Sequence, residues 1–165
     1  MNYTNQYTSH LGLITMASDG QTLTGLWFAG QKYFGAGLVK ETKVELLPVF
    51  EETGKWLDIY FEGREPEFMP PIQLEGTPFQ KQVWNILKTI PYGQTITYKE
   101  IAKKLVKERG LIRMSAQAVG GAVGRNPVSL IVPCHRVVGA NGSLTGYAGG
   151  IEKKEWLIRL EQGLL

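Results

Sequence analysis

Residues 131–138 read Ile-Val-Pro-Cys-His-Arg-Val-Val and contain the only cysteine of this 165-residue chain. The cysteine, Cys134, is followed directly by His135, one of only two histidines. A lone thiol cannot form an internal disulfide bond, and an adjacent imidazole favours a reactive sulfur. The alternative is a structural thiol, because unpaired cysteines are among the most buried residues of proteins. The stretch therefore predicts either a nucleophile or a small core residue.

The segment before the cysteine is apolar and rich in β-branched residues. Val128–Val132 predicts a strand-like segment that Pro133 interrupts. On a strand that continued past the proline, Cys134 and His135 would point to opposite faces. We therefore expect either a turn at Pro133 or a bridging water to connect the thiol with the imidazole.

The residues after the cysteine predict a ligand-binding loop and a closing helix. Asn141-Gly142 is a turn signal, and residues 146–150 read Gly-Tyr-Ala-Gly-Gly. A loop with so few side chains exposes backbone donors and suits a planar ligand. The last helix is expected to begin near Glu152, and it makes Glu161 available to orient an imidazole.

The composition, with 43% hydrophobic and 20% charged residues, is typical of a globular protein. No apolar run is long enough to span a bilayer, and the amino terminus lacks the basic and apolar segments of a signal peptide. With a single cysteine, these features predict a cytoplasmic protein without a membrane partner. His10, His135 and Cys134 cannot complete a tetrahedral zinc site, so we expect no metal and no cofactor.

Charge is distributed unevenly along the chain, whose formal net charge is +3. Residues 1–75 carry five basic and ten acidic side chains, a net charge of −5. Residues 76–165 carry thirteen basic and five acidic side chains, a net charge of +8. This asymmetry favours two domains, the second of which faces a polyanion such as DNA or RNA. A solvated surface with segregated charges is the alternative.

The first half predicts a β-hairpin followed by a helix. Leu11–Ala17 and Thr22–Phe28 are compatible with strands, and Asp19-Gly20 between them is a strong turn signal. Apolar residues then recur at helical spacing from Pro48, and Gly63 is a suitable stop. We place the boundary between the domains after residue 75, because three prolines break any regular element just before it: Pro66, Pro70 and Pro71.

The second half predicts three helices in succession. Thr77 with Gln80, and Thr97 with Glu100, have the spacing of capping boxes, and Ser115 can cap a third helix that runs through Val123. This order suggests a helix-turn-helix unit, although a plain helical bundle gives the same pattern.

The third helix is unusual for a protein that reads DNA sequence. Only Gln117 could reach base edges, and the glycines Gly120 and Gly121 each cost about 1 kcal/mol relative to alanine. The glycines are explained if the backbone approaches another surface closely. Close helix–helix packing is the simpler explanation of this helix alone, and the basic second half makes sequence-independent contact with DNA credible.

Three segments of the second half carry a resemblance to a known family. They are residues 133–138 (PCHRVV), 146–150 (GYAGG) and 154–157 (KEWL). Together they resemble the O6-alkylguanine-DNA alkyltransferases, also called methylated-DNA–protein-cysteine methyltransferases, and the likeness runs from about Thr77 to Glu161.

The resemblance implies an α/β (α+β) fold with two domains. Residues 1–75 would form a small ribonuclease-H-like α/β domain, and residues 76–165 a mainly helical, winged-helix-like domain with the helix-turn-helix unit and the cysteine. A protein of this family acts as a monomer on double-stranded DNA that carries O6-alkylguanine and needs no cofactor. It flips the damaged base out of the duplex and transfers the alkyl group irreversibly to its cysteine, once per molecule, and O4-alkylthymine is a further expected substrate.

The resemblance also assigns roles to residues of the site. Cys134 matches the alkyl acceptor, and His135 matches the histidine that draws off the thiol proton through a water. Glu161 matches the carboxylate that holds this histidine, Asn126 ties the recognition helix to the active-site loop, and Tyr98 assists rotation of the nucleotide.

Further residues are expected around the base and along the DNA. The carbonyl groups of Cys134 and Val137 would accept the guanine amine, and Tyr147, Ala148 and Gly149 would form the pocket. The helix would enter the minor groove, and the expected DNA contacts are Ser115, Ala116, Gln117, Ala118, Gly120, Gly121, Arg125 and Arg136. Gln117 stands where the family often has an arginine finger, and Ala148 where some members have serine.

Three other functions are weighed against alkyl transfer. A non-catalytic module that binds alkylated DNA would lack the cysteine, which is present here. A helix-turn-helix transcription regulator needs base-reading side chains, which the third helix lacks. A cysteine hydrolase is disfavoured because the histidine adjoins the thiol in sequence.

Overall fold

The structure is a computed structural model that describes residues 2–38, 42–111 and 113–165. Its strands are β1 (Asn2–Ser9), β2 (Gly12–Ser18), β3 (Leu23–Phe28), β4 (Thr42–Val44), β5 (Ile96–Thr97) and β6 (Val137–Val138). Its helices are α1 (Pro48–Phe61), α2 (Pro78–Leu87), α3 (Tyr98–Arg109), α4 (Ala116–Gly124) and α5 (Ile151–Glu161), with 3₁₀ turns at Cys134–Arg136 and Ala140–Gly142. The predicted α/β class is confirmed: the first part contains a sheet, and the second is mainly helical.

The first part is a four-stranded sheet in the order β3-β2-β1-β4. The predicted hairpin is confirmed as β2 and β3, which pair antiparallel, although four residues rather than two connect the strands. Asp19 closes this connection by accepting hydrogen bonds from the backbone of Gln21 and Thr22. Strand β1, which pairs with β2, was not predicted because its sequence NYTNQYTS is polar almost throughout.

Helix α1 follows the sheet and confirms the predicted helix that begins at Pro48. One face of the helix is buried, because its apolar residues recur every three to four positions. This face consists of Val49, Phe50, Thr53, Trp56, Leu57 and Tyr60.

The three predicted helix starts of the second part are confirmed. The Thr77 side chain accepts from Gln80 N and Gln80 returns the bond, which is a complete capping box. The hydroxyl of Thr97 accepts from Glu100 N, and that of Ser115 from Ala118 N. The short parallel pair of β5 and β6 lies beside these helices and was not predicted, since each strand has only two residues.

The strand expected at Val128–Val132 is wrong. Val128 forms only an isolated bridge with Leu26 of β3, and the chain then turns through Leu130, whose φ is +71°. The backbone is held in the turn by bonds from Leu26 N to Pro127 O (2.8 Å) and from Ser129 N to Leu26 O (3.1 Å). The apolar residues are buried as expected, so the pattern predicted burial correctly but not the backbone conformation.

A shared hydrophobic core connects the two parts of the chain. Phe28 of β3 and Tyr60 of α1 belong to the same buried cluster as Trp84 of α2 and Leu157 of α5. This continuity fixes the segment around Cys134 against the sheet and α1. No helix within the described ranges is long and apolar enough to cross a membrane.

Candidate active site

Cys134 lies at the start of a 3₁₀ turn that follows the Val128–Val132 segment. Pro133 has a ψ of 67°, and the next three residues, Cys134–Arg136, form the turn. The cysteine is 5% exposed and borders a cavity of about 480 Å³. Seven further residues expected at the site or at DNA also line this cavity: Tyr98, Gln117, Gly120, Gly121, Asn126, Tyr147 and Ala148. Of the two features expected to connect the thiol with the imidazole, a turn at Pro133 or a bridging water, the turn is present.

Asn126 clamps the turn that carries the thiol. Its Nδ2 donates to Val132 O (2.7 Å), and its Oδ1 accepts from Val128 N (3.0 Å). Because Asn126 follows α4 directly and is buried, the clamp joins this helix to the cysteine segment. This is the connection that the resemblance implied for Asn126.

His135 and Glu161 form a buried pair next to the thiol. The imidazole Nε2 lies 2.5 Å from Glu161 Oε2, and Arg136 Nε donates to Glu161 Oε1 over 2.7 Å. Burial alone would raise the pKa of Glu161, but the hydrogen bonds and charges of His135 and Arg136 lower it from 4.5 to about 2. Glu161 is therefore ionised at neutral pH.

The protonation of His135 follows from its surroundings. Burial lowers the pKa of His135 below 6.5, although the hydrogen bond and charge of Glu161 oppose this. The neutral ring places its hydrogen on Nε2, which faces the carboxylate, and so leaves the lone pair on Nδ1. Nδ1 is buried and has no hydrogen-bond partner among the described residues. It is therefore free to accept a proton.

The resting thiol is neutral. Burial raises the pKa of Cys134, while a hydrogen bond from Asn126 and the charge of Lys154 act in the opposite direction. Because burial is the largest cause, formation of a thiolate needs a base to take the proton. His135 is the base that the chain places next to it.

Two side chains tie down the loop at the cavity mouth. Tyr98 OH donates to Thr145 O (3.2 Å), and Lys154 Nζ donates to Thr145 O (2.9 Å) and Gly146 O (3.1 Å). Lys154 is fully buried, and burial lowers its pKa to about 8 despite the opposing charge of Cys134. Tyr147 follows the tied residues and keeps its buried hydroxyl without a hydrogen-bond partner in the described chain.

The loop after Tyr147 is attached to the first part of the chain. Ala148 O accepts from Lys32 N (3.0 Å). At Gly149 a Cβ would lie 2.8 Å from the Tyr147 ring and 3.1 Å from the Phe28 ring, so only glycine fits there. The loop can therefore approach both rings closely because it lacks a side chain at this position.

Val137 is fully buried, and its N–H donates to Cys134 O. One of the two carbonyl groups expected to accept the guanine amine is thus already an acceptor. A carbonyl oxygen has two lone pairs, so a second bond remains possible.

Helix α4 presents small residues to solvent. Ser115, Ala116, Gln117, Ala118 and Gly121 are exposed, whereas Val119, Ala122 and Val123 face α2 and α3. A Cβ at Gly121 would meet nothing within 4 Å, and one at Gly120 would only touch the Tyr98 ring at 3.7 Å. Close helix packing is therefore not the reason for these glycines.

Of the two arginines expected at DNA, Arg125 is exposed and Arg136 is not. The guanidinium of Arg125 lies 4.2 Å from the ring centroid of Tyr33. Arg136 is 9% exposed, with Nε bound to Glu161 and NH1 bound to Ile90 O (2.7 Å). The expected DNA contact of Arg136 is therefore wrong, because a buried carboxylate and a carbonyl already hold the guanidinium.

Sequence reasoning missed two residues of the site. Tyr60 of α1 donates to Glu161 Oε2 (2.5 Å), and Gly93 N donates to Glu161 Oε1 (3.0 Å). Tyr60 is part of an apolar helical stripe and resembles any core residue. A phenol in such a stripe does need a partner for its hydroxyl, which is the only signal that the sequence contained.

Family models match both parts of the chain. Residues 2–74 match the ribonuclease-like domain of 6-O-methylguanine DNA methyltransferase, and residues 78–163 match its DNA binding domain. The chain belongs to the 6-O-methylguanine DNA methyltransferase family. Among the described residues of this family member, no group of three His, Cys, Asp or Glu side chains could hold a metal ion.

Individual members of the family are similar over nearly the whole chain. The methylated-DNA–protein-cysteine methyltransferase of Methanosarcina acetivorans is 45% identical over 156 residues, which are 94% of this chain and 95% of that protein. The inducible enzyme of Bacillus subtilis is 42% identical and covers 92% of this chain and 79% of its own.

Solved structures of the family have the same fold. The Mycobacterium tuberculosis O6-methylguanine methyltransferase has a TM-score of 0.82 and 39% identity, and the match covers all of this chain and 95% of that one. The M. tuberculosis protein in complex with DNA matches with a TM-score of 0.81 and 39% identity over 99% of this chain and 93% of its own.

Proposed function

We propose that this protein repairs DNA by direct reversal, taking the alkyl group of O6-alkylguanine onto Cys134. The observation that carries the proposal is that Cys134 lines the cavity and is followed in the chain by His135, whose Nδ1 is buried without a partner among the described residues and whose Nε2 is held by the Glu161 carboxylate. The family membership supports the reaction class. The same thiol argues against a non-catalytic module.

The reaction begins with formation of the thiolate. His135 Nδ1 takes the proton of Cys134 through a bridging water, and Glu161 stabilises the imidazolium that forms. The sulfur then attacks the alkyl carbon. A sulfur–carbon bond forms, the carbon–O6 bond breaks, and its electron pair stays on the guanine. The guanine regains at N1 a proton that balances the one His135 took from the thiol, so the imidazole returns to its neutral form. The thioether is permanent, so each molecule reacts once.

The flipped base occupies the cavity beside Cys134. A volume of about 480 Å³ is within the range of pockets that enclose small ligands. Tyr98 assists rotation, and its hydroxyl donates to the base after it releases Thr145 O. Tyr147 forms a wall, and the backbone of Ala148 and Gly149 approaches the edge of the base. The carbonyl groups of Cys134 and Val137 accept the guanine amine. O4-alkylthymine is the second substrate expected at this site.

DNA is held by α4, which enters the minor groove of the duplex. The exposed small residues of this helix allow the backbone to approach the groove closely, and Arg125 at its end adds a positive charge. Gln117 fills the space that the extruded base leaves. The protein acts as a monomer, with residues 1–75 and 76–165 as its two domains; the family-model matches to residues 2–74 and 78–163 support this division.

Intact-protein mass spectrometry tests the proposal. Incubation with duplex DNA containing O6-methylguanine should add one methyl group per molecule, and peptide mapping should place it on Cys134. The single cysteine makes the assignment unambiguous. Cys134→Ala should bind the same DNA and gain no mass. Repeated turnover by substoichiometric protein, or methylation of another residue, would contradict direct irreversible transfer to this thiol.

A further inference from the structure

Tyr60 connects the first part of the chain to the His135–Glu161 pair. Its side chain is fully buried, and its hydroxyl donates to Glu161 Oε2 over 2.5 Å and lies 3.2 Å from His135 Nε2. The phenol oxygen thus lies beside both members of the pair. Helix α1, which carries Tyr60, contributes no other residue to this network.

The carboxylate of Glu161 has four hydrogen-bond partners. Oε1 accepts from Arg136 Nε and Gly93 N, and Oε2 lies between Tyr60 OH and His135 Nε2. A carboxylate offers about four lone-pair positions, so each is in use. Among the described residues, Tyr60 is the one hydrogen-bond partner of Oε2 besides the imidazole itself.

The ring of Tyr60 is held on three sides. Trp56 stacks on it at 5.2 Å between centroids and 8° between planes. Phe61 and Tyr92 meet it edge-on at 5.6 Å and 6.2 Å. A phenol packed in this way loses little freedom when its hydroxyl binds, so it can hold the carboxylate oxygen in a fixed place.

We propose that Tyr60 is a positioning residue of the alkyl-transfer site. Its hydroxyl holds Glu161 Oε2, the oxygen that accepts the His135 N–H, in place. The same hydrogen bond limits how strongly Oε2 stabilises the protonated imidazole. The inference rests on the proposed function. Tyr60 OH and His135 Nε2 both bind Oε2, so removal of the phenol hydroxyl leaves the imidazole as the one remaining partner of Oε2 among the described residues. The imidazolium then becomes more stable, and the carboxylate loses its alignment.

Every element packed around the pair contributes a group that influences it. They are Tyr60 of α1, Tyr92 in the turn after α2, Cys134 and Arg136 in the 3₁₀ turn, Tyr147 in the pocket loop and Lys154 of α5. Arg136 and Lys154 both oppose protonation of His135. Since these groups remain when Tyr60 is changed, a shift in the His135 titration would report the missing hydroxyl.

Tyr60→Phe keeps the ring and removes only the hydroxyl. Single-turnover methyl transfer should be roughly tenfold slower at its pH plateau, the rate equivalent of one hydrogen bond. The midpoint of the acidic limb of the rate profile should move to higher pH, because His135 is protonated more easily. The imidazole titration, followed by NMR of the folded protein without DNA, should move in the same direction.

Tyr7→Phe is the matched control. Tyr7 OH also donates to a carboxylate of α1, Asp58 Oδ1 (2.6 Å), but this bond is exposed and involves neither His135 nor Glu161. The control should keep the wild-type rate and pH profile.

An unchanged rate and profile in Tyr60→Phe would overturn the inference. So would a slower rate without any shift in the profile or in the imidazole titration, since that result describes a merely structural residue. If the wild-type protein transfers no alkyl group, the proposed function itself fails. If the wild-type protein transfers the alkyl group and Tyr60→Phe keeps its rate and pH profile, only the proposed role of Tyr60 is refuted.

Discussion

Glu161 is the residue on which the electrostatics of the site depend. Its carboxylate binds His135, pairs with the buried guanidinium of Arg136 and accepts a hydrogen bond from Gly93 N. A buried charge of this kind is tolerated only when donors replace the lost hydration. The pKa of Glu161 is lowered to about 2 because the hydrogen bonds and charges of His135 and Arg136 stabilise the ionised carboxylate.

Glu161→Gln should lower the free energy of unfolding at pH 7 by about 3 kcal/mol, since a buried arginine loses its counter-ion. The folded-state pKa is below the unfolded value, so the contribution is present above pH 4.5 and disappears as the pH falls through about 2. Urea unfolding at several pH values should therefore show the two proteins converging in acid.

Glu62→Gln is the control for this prediction. The pair of Glu62 with Arg64 is exposed on both sides, and its loss should change the free energy of unfolding by less than about 1 kcal/mol. A pH-independent difference between wild type and Glu161→Gln would contradict the electrostatic role of Glu161.

Helix α4 combines poor helix formers with an exposed face. Its apolar side packs on α2 and α3, and its other side offers glycines at which a Cβ would meet little or nothing. The helix is less stable than an alanine helix would be, without any gain in internal packing. This cost is explained if the exposed backbone approaches DNA.

Gly121→Ala should therefore raise the free energy of unfolding by about 0.5–1 kcal/mol and weaken DNA binding. Thermal unfolding and fluorescence anisotropy with a duplex measure the two effects. Gly54→Ala in α1 is the matched control, because a Cβ there also meets nothing within 4 Å. It should stabilise the protein similarly and leave DNA affinity unchanged. Unaltered affinity of Gly121→Ala would show that α4 does not approach DNA closely.

The two parts of the molecule carry opposite net charges, and both contribute residues to the site. The acidic first part supplies Tyr60, the edge of β3 and the contact of Lys32 with Ala148, while the basic second part supplies the thiol and α4. Steering of DNA toward one side of the protein follows from this separation.

DNA affinity should fall steeply with salt and depend little on undamaged sequence. Titrations at several salt concentrations should give a linear plot of log affinity against log salt. Arg125→Ala should reduce the slope by about 1, whereas Lys55→Ala on the exposed side of α1 should not. A strong preference for one sequence would instead favour a transcription regulator.

Much of the fold was predictable because its signals are local. The caps at Thr77, Thr97 and Ser115 act within one turn of helix, and the apolar stripe of α1 is a periodic pattern within one helix. Strand β1 was missed because its pairing with β2, and not its own polar sequence, makes it a strand. The turn at Val128–Val132 was missed for a similar reason: the edge of β3 holds this segment by hydrogen bonds that no local pattern records.

The sequence by itself determined the chemistry: one thiol beside a histidine, a glycine-rich loop after it and a basic second half, all readable from residue types and spacing. Only the tertiary structure decided which groups meet at Glu161. It brought Tyr60 across from α1 and turned Arg136 inward. The physical reason is that hydrogen bonds between residues 25 to 101 positions apart depend on how helices and sheet pack together, whereas caps, turns and amphipathic faces depend only on neighbours.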